Sequence, residues 1–346
     1  MNSSEGFHLA SLPHEAKIQV LVNASESEYR LLCLLDPMKS LCNDEKTVNR
    51  IFQDKCQNRY SADILAFKPR NMSWKDFYYH FEAFYKIFKM SLSLANSGRV
   101  PTFSDFERAY GSLIPQKDRL QDKDYIIEED YTDNPNVANL FAFYGLIEEL
   151  RWLESDKFQA LSEIQPDMGG STYAAAKGHL DTLKFLYEQY INIPELEGFL
   201  EAARNDHVHV LQWLQEIGDY FEDDNIADAI AMASQRSAYN TLRYFVQKGY
   251  MLQSADLVEL IDHDTSPNLS KSTEFIDFTD DLEPEQILRI VRFRRDNTED
   301  ILNLFYNRGY TMDWRVYKQL MRELGFGKSL TDRVGNWFVT KILPDD

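Results

Sequence analysis

The chain has 346 residues, of which 44% are hydrophobic and 13% aromatic, so it can form two or three domains with sizeable cores. Its formal net charge of −19 argues against binding to nucleic acid or to an anionic membrane, because both require a positively charged surface. The sequence contains neither a secretory signal pattern nor an apolar stretch long enough to span a bilayer. We therefore expect a cytoplasmic protein.

Three cysteines, Cys33, Cys42 and Cys56, lie close together near the N-terminus. Their number is odd, no Cys-x-x-Cys pair occurs, and their spacing does not match a zinc site. We predict three free thiols that serve as small core residues in a reducing compartment. We expect no metal site and no cofactor.

Residues 1–116 are predicted to form a helical N-terminal domain. Leu12 and Pro13 open a first helix whose apolar face includes Ile18 and Leu21. Ser25, three residues before Glu28, matches a capping box at the start of a second, leucine-rich helix. A proline at position 37 is expected to end that helix, because proline lacks a backbone donor.

Two further segments complete the N-terminal half. Residues 77–94 carry aromatic side chains at spacings of three and four, which predicts a core helix with a wide apolar face. Residues 117–136 are the most polar part of the chain and are predicted to be a linker or an exposed acidic loop.

Residues 171–190 have the pattern of a helical hairpin. The small residues Ala174 and Ala175 allow close helix packing, and Gly178 with His179 marks a tight turn. The following leucines at spacing three form an apolar stripe on one helix face. A single hairpin cannot bury such a stripe, so we expect neighbouring copies.

The leucine pair of this hairpin recurs 33 residues earlier and 28 residues later, with small residues in register. The aligned pairs are Leu150 and Leu153, Leu183 and Leu186, and Leu211 and Leu214, with further copies at Leu242 and Phe245 and at Leu302 and Phe305. A period near 30 with this pattern resembles the ankyrin repeat, although the Thr-Pro-Leu-His turn of that family is absent. The resemblance implies an all-α fold in which the N-terminal domain is followed by a short ankyrin-like α-solenoid at residues 137–346. Residues 262–281 would form an insertion and the last helices a C-terminal cap.

Residues 11–56 resemble an F-box, on the basis of the Leu-Pro opening and the short leucine-rich helix that follows. A Trp-Lys element at Trp74 and Lys75 is similar to one found in ankyrin-repeat proteins of large DNA viruses and of bacteria that live in amoebae. The usual Leu-Trp near the end of the motif is missing, and an unrelated helical cap stays an open alternative. The resemblance implies docking to a Skp-type ubiquitin-ligase adaptor through Leu12, Pro13, Ile18, Leu21, Leu31 and Leu34.

Several motifs that could carry chemistry are better explained by structure. Residues 325–329 are similar to the end of a phosphate-binding loop, but they follow a helix, and the first glycine of such a loop is missing. His207 and His209 would point in different directions from a helix. The residues Asp262, His263 and Asp264 have no nucleophile nearby. We therefore predict a protein that is not an enzyme.

The sequence favours a protein–protein interaction function. The more specific hypothesis is a substrate adaptor that links a target to a cullin ubiquitin ligase. The alternatives are a pathogen effector that blocks a partner with its repeat face, acting in the host cytosol, or an enzyme of unfamiliar fold in the N-terminal region. On the repeats, the residues expected to face the partner are Lys177, Asn205, Asp206 and Arg236.

Overall fold

The computed structural model describes residues 9–95, 101–114, 136–159, 164–217, 220–264, 271–280, 282–310 and 312–342. Over these residues the chain is helical and contains no β-strand, which confirms the all-α prediction. Two compact units are present, Met1–Pro166 and Asp167–Asp346. No helix in the described ranges is both long and apolar enough to cross a membrane. The predicted linker at 117–136 lies, apart from Asn136, outside the described residues.

The first unit begins with a small helical bundle whose boundaries follow the sequence signals. Pro13 precedes α1, and Ser25 and Glu28 form the predicted capping box at α2. Pro37 lies in the first turn of α3, so the chain ends one helix and begins another there, as predicted. The helices of this unit are α1 His14–Asn23, α2 Glu26–Leu32, α3 Asp36–Asn43, α4 Glu45–Arg59, α5 Ala62–Leu65, α6 Trp74–Ala95, α7 Phe103–Tyr110, α8 Val137–Phe143, α9 Ile147–Leu153 and α10 Asp156–Gln159.

The core of the bundle is apolar and well filled. Ile18 and Leu21 from α1 and Ile51 and Phe52 from α4 are almost completely buried. Burying side chains of this size stabilises a fold by roughly 1.5–3 kcal/mol each relative to leaving them exposed. The α1–α4 bundle is therefore held together mainly by aliphatic and aromatic packing.

The long helix α6 organises the rest of the first unit. Its aromatic face is buried as predicted, and Phe84 contacts the rings of Phe141, Trp152 and Phe158. These three rings belong to α8, α9 and α10, so the helices counted by sequence as the first repeat pack against α6. The packing of these rings on α6 is favourable, because each aromatic pair contributes roughly 0.5–1.5 kcal/mol beyond the stabilisation from the area it buries.

The second unit is a succession of helical hairpins. The first helices of the hairpins pack on one another in chain order: α11 on α13, α13 on α15, α15 on α17, α17 on α18 and α18 on α20. Each has a partner helix that follows it in the chain. The first helices are α11 Met168–Lys177, α13 Leu196–Arg204, α15 Asp223–Gln235, α17 Ser254–His263, α18 Pro284–Phe293 and α20 Trp314–Glu323; the partners are α12 Leu180–Tyr190, α14 Val208–Ile217, α16 Tyr239–Gln247, the 3-10 helix Thr273–Phe278, α19 Thr298–Asn307 and α21 Lys328–Lys341.

The described part of the predicted insertion at 262–281 is packed into this succession. Its 3-10 helix buries Phe275 and Ile276, and the ring of Phe275 stacks on Tyr239. The carboxylate of Asp264 is buried and accepts hydrogen bonds from the backbone and hydroxyl of Ser272. This segment therefore replaces the second helix of the hairpin that α17 begins. On α21, Trp337 and Phe338 are buried: the ring of Phe338 packs on Trp314 and Tyr317 of α20, and Trp337 donates to Asn303 of α19.

Candidate interaction surfaces

An apolar groove lies between α1 and α2 in the first unit. It is lined by Ala16, Gln19, Val20, Asn23, Ala24, Glu28, Leu31 and Leu32. At the end of α2, Leu31 is 64% exposed and Leu34 is 76% exposed. Leu35 beside them is also exposed. Clustered large apolar side chains in water are the usual mark of a contact surface rather than of a core.

The six residues that the F-box resemblance singled out divide into two groups. Ile18 and Leu21 are buried in the core of the bundle, so they hold its helices together. Leu31 and Leu34 are exposed beside the groove, while Pro13 is exposed and Leu12 half-buried at the start of α1. Of the six, Leu31 and Leu34 are therefore the two large apolar side chains that the fold leaves exposed. Sequence periodicity could not separate Leu31 from Ile18 and Leu21, because all three lie in helices with apolar faces, whereas Leu34 lies in the turn that follows α2.

The cysteine prediction requires a correction. Cys33 and Cys42 form a disulfide that joins the end of α2 to α3, with their Cα atoms 5.6 Å apart. Only Cys56 has a free thiol, and burial raises its pKa to about 12, which leaves it unreactive. The prediction of three free thiols was wrong because pairing depends on how α2 and α3 are folded together, which residue spacing does not reveal. The bond encloses the exposed residues Leu34 and Leu35.

A second depression in the first unit lies among α2, α6 and α7 and carries three carboxylates, Glu26, Asp76 and Glu82. Each carboxylate is already engaged. Glu26 is paired with Arg30, Asp76 accepts from Ser73, and Glu82 accepts from Arg59 and Tyr60. His80 is not among the residues lining this depression. The described residues contain no group of three or more His, Cys, Asp or Glu side chains that could hold a metal ion.

His80, which is half-buried, instead forms a pair with the buried Glu149. The Nδ1 atom of His80 on α6 lies 2.7 Å from the Oε1 atom of Glu149 on α9, and the Glu149 side chain is 2% exposed. The nearby hydroxyl of Tyr110 is buried and has no hydrogen-bond partner among the described residues. The pair joins two helices within the core of the unit, so its first role is structural.

In the second unit the turns within the hairpins share one geometry. Gly178, Asp206 and Ser237 all have positive φ, and the two residues that close each turn bond back to the preceding helix. The pattern is the same each time: His179 N–H donates to Ala174 O, His207 N–H to Ala202 O, and Ala238 N–H to Ala233 O. The same turn occurs in the first unit at Gly145, where Leu146 N–H donates to Phe141 O. This is the Schellman arrangement that commonly ends a helix.

The four residues predicted to face a partner lie at these turns, but two of them bind the neighbouring hairpin. The Asp206 carboxylate accepts from the backbone N–H of Thr241 and from the Asn240 amide, both at 2.7 Å. The Asn205 amide donates to Ala176 O at 3.2 Å. Arg236 is exposed, and Lys177 is half-buried. Asp206 and Asn205 therefore connect successive hairpins, a role that the sequence alone did not reveal.

The remaining candidate motifs have structural roles. His209 Nε2 lies 2.9 Å from Gly178 O, so it too connects two hairpins. Two arginines at the end of α18 also connect helices: Arg294 donates to the last carbonyls of α17, including Ile261 O, and Arg292 donates to Leu324 O at the end of α20. Gly325 has positive φ and ends α20, so the phosphate-loop echo is a helix terminus.

None of the family models, curated proteins or solved structures compared with the chain matches it significantly. The arrangement of residues is therefore the basis for a functional proposal.

Proposed function

We propose that the protein is a non-enzymatic interaction module, and that it acts as a substrate adaptor between a target protein and a cullin ubiquitin ligase. The observation that carries the proposal is the group of exposed leucines at the end of α2. Leu31 and Leu34 stand in water beside an apolar groove, although the neighbouring core is well filled. When a partner covers exposed apolar side chains at such a site, the burial is favourable and stabilises the complex.

Each of the two units binds a different partner in the proposal. In the proposal, α1 and α2 hold a Skp-type adaptor, and the hairpin succession, taken as a degenerate ankyrin-like solenoid, holds the target. Stacked helix pairs of this kind present extended surfaces to protein partners. A cytoplasmic location is part of the proposal. In a reducing cytosol Cys33 and Cys42 would be thiols, since disulfides persist mainly in oxidising compartments.

The test is capture of proteins from a eukaryotic lysate by the full chain, followed by mass spectrometry. The full chain is compared with the double variant Leu31→Asp, Leu34→Asp and with the control Val339→Asp, which changes another exposed side chain on α21. We expect Skp adaptor and cullin with the unchanged chain and with the control, and neither with the double variant.

The outcomes separate the adaptor hypothesis from its alternative. If no ligase subunit is captured by the unchanged chain, the adaptor hypothesis fails. If another protein is then retained by all three chains, an effector that blocks a partner through its repeats is the better description.

A further inference from the structure

One edge of the second unit concentrates exposed apolar side chains. It is formed by the loops that lead from each second helix to the next first helix. Of the thirteen large hydrophobic residues exposed in the described chain, six lie at this edge. They are Met168, Ile191, Ile193, Leu196, Met251 and Phe278. We call the described residues of the loops before α13, α15 and α17, with the first turns of α11, α13, α15 and α17 and the end of the 3-10 helix, the loop edge.

Hydrogen bonds show that these loops lie side by side. The Thr172 hydroxyl in the second turn of α11 donates to Met168 O and accepts from Glu195 N–H at the start of α13. The Ser171 hydroxyl donates to Asn192 O in the same loop. The start of α11 therefore lies beside the loop before α13, and we call the exposed residues Met168, Ile191, Ile193 and Leu196 of these two segments the first apolar patch.

A second apolar patch forms where the loop before α17 meets the 3-10 helix. Leu252 N–H donates to Phe278 O and Asp280 N–H donates to Leu252 O, which places Met251 beside Phe278. The two patches are separated by the start of α15, two helix spacings apart. At about 8–10 Å for each spacing, the patches are roughly 16–20 Å apart.

The surface between the patches is negative. Glu222, Asp223 and Asp224 at the start of α15 are exposed, and none forms an ion pair with a described residue. Neither residues 188–197 nor residues 220–228 include a lysine or arginine. Carboxylates in a first helical turn also favour the helix dipole, which accounts for Asp223 and Asp224 without a ligand. That effect does not explain the apolar patches on either side.

Ile191, at the loop edge, combines an unfavourable backbone conformation with an exposed side chain. Its φ is 58°, in the left-handed region, and 78% of the residue is exposed. A β-branched residue is a rare occupant of that region. After α16 and α19 the left-handed position is filled by Gly249 and Gly309 instead. Neither burial nor backbone preference therefore explains isoleucine at this position, whereas contact with a partner would.

We propose that the loop edge binds an extended, positively charged peptide segment of a target protein. Two apolar side chains of the segment would occupy the two patches, and Lys or Arg residues between them would face Glu222, Asp223 and Asp224. An extended chain advances about 3.3 Å per residue, so the apolar side chains would be five or six residues apart. Nucleic acid and anionic membranes do not fit, because both are negative. This inference rests on the proposed interaction function and gives the chemistry of the target.

The test is selection of random dodecapeptides displayed on phage against the full chain. We expect enriched peptides to carry at least two basic residues between two apolar ones. The affinity of the selected peptides for the chain is measured by fluorescence anisotropy. It should fall at least fivefold in the triple variant Glu222→Gln, Asp223→Asn, Asp224→Asn, and binding to the unchanged chain should weaken as the salt concentration is raised. Phe293→Ser, at another exposed apolar site, is the control and should bind normally.

Ile191→Gly separates binding from folding. Glycine suits the left-handed backbone, so this variant should melt at a higher temperature and yet bind the selected peptides at least fivefold more weakly. The inference is overturned if no peptide is enriched, if the enriched peptides are acidic, or if the loop-edge variants bind as well as the control. These results are independent of ligase capture by α1 and α2, so either proposal can fail alone.

Discussion

Half-buried His80 on α6 and buried Glu149 on α9 form a pair, with 2.7 Å between Nδ1 and Oε1. Burial lowers the pKa of His80, but the hydrogen bond that its ring donates to Glu149 and the charges of Glu149 and Asp76 outweigh that effect. The pKa is therefore raised above its usual value of 6.5. The folded chain thus holds the proton of His80 more tightly than the unfolded chain does.

The pair predicts a pH dependence of stability. Its contribution should be complete below about pH 6.5 and should be lost as the pH rises through the raised pKa of the folded state. Glu149→Gln should remove this part of the dependence, as measured by urea unfolding at several pH values between about 6 and 8. His80→Ala leaves the Glu149 charge buried without its partner and should cost about 3 kcal/mol. An unchanged pH profile in Glu149→Gln would contradict the assignment.

The exposed and buried leucines of the first unit should behave differently when changed. Leu34→Ser should alter the free energy of unfolding by less than about 0.5 kcal/mol, because the side chain is largely in water. Leu21→Ala should cost about 2–5 kcal/mol, because it leaves a cavity in a filled core. Denaturant unfolding of the two variants checks the contrast. A large loss in Leu34→Ser would mean that this residue belongs to the core.

The disulfide should make the first unit sensitive to reductant. It closes a loop with a sequence separation of nine residues, for which the chain-entropy model gives about 2–3 kcal/mol. Adding dithiothreitol should lower the melting temperature of the unchanged chain. The double variant Cys33→Ser, Cys42→Ser should melt at the same temperature with and without reductant. Equal melting of the unchanged chain in both conditions would show that the bond does not form.

Asp206 should matter for stability and Arg236 should not. Asp206→Ala removes the two hydrogen bonds to Asn240 and Thr241 and should cost about 1–2 kcal/mol. Arg236→Ala changes an exposed side chain at the next turn and should cost less than about 0.5 kcal/mol. Thermal unfolding distinguishes them. If Asp206→Ala leaves the melting temperature unchanged, the bonds between the hairpins contribute little.

Backbone conformation gives a paired prediction at two helix ends. Ile191→Gly should stabilise the chain by about 1 kcal/mol, because a left-handed backbone disfavours a branched residue. Gly249→Ala should destabilise it by about the same amount, because φ is 94° there although space is open around the new methyl group. Calorimetry of both variants tests the pair. The same sign of change in both would reject the backbone explanation.

Local signals in the sequence predicted much of the fold. The Ser25–Glu28 capping box, the break at Pro37 and the turn at Gly178 depend on neighbouring residues, and all are present. Asp206 and Ser237 occupy the position of Gly178 when the repeats are aligned by sequence, but only the three-dimensional structure reveals that they share its positive φ without its glycine. The pairing of Cys33 with Cys42 and the packing of Phe141 on Phe84 join separate helices, and no local rule specifies them.

The prospective site was predictable only in part. Leu31 and Leu34 were identified from a resemblance, but only the structure shows that they are exposed while Ile18 and Leu21 of α1 are buried. The loop edge was not identified at all, because its apolar residues are scattered over 111 positions, from Met168 to Phe278. The positive φ of Ile191 has no counterpart in hydrophobic patterning.

The turn at Gly178 lies close to the next hairpin. A methyl group added at Gly178 would lie 2.6 Å from the Nδ1 atom of His207, which is 29 positions further along the chain. The identity of one residue is thus restricted by its neighbour in the succession. One hairpin of this protein consequently cannot be replaced by another without regard to its neighbours. A chimera that duplicates or exchanges one of them must transfer the matching glycine and imidazole together, or the junction between the hairpins will not close.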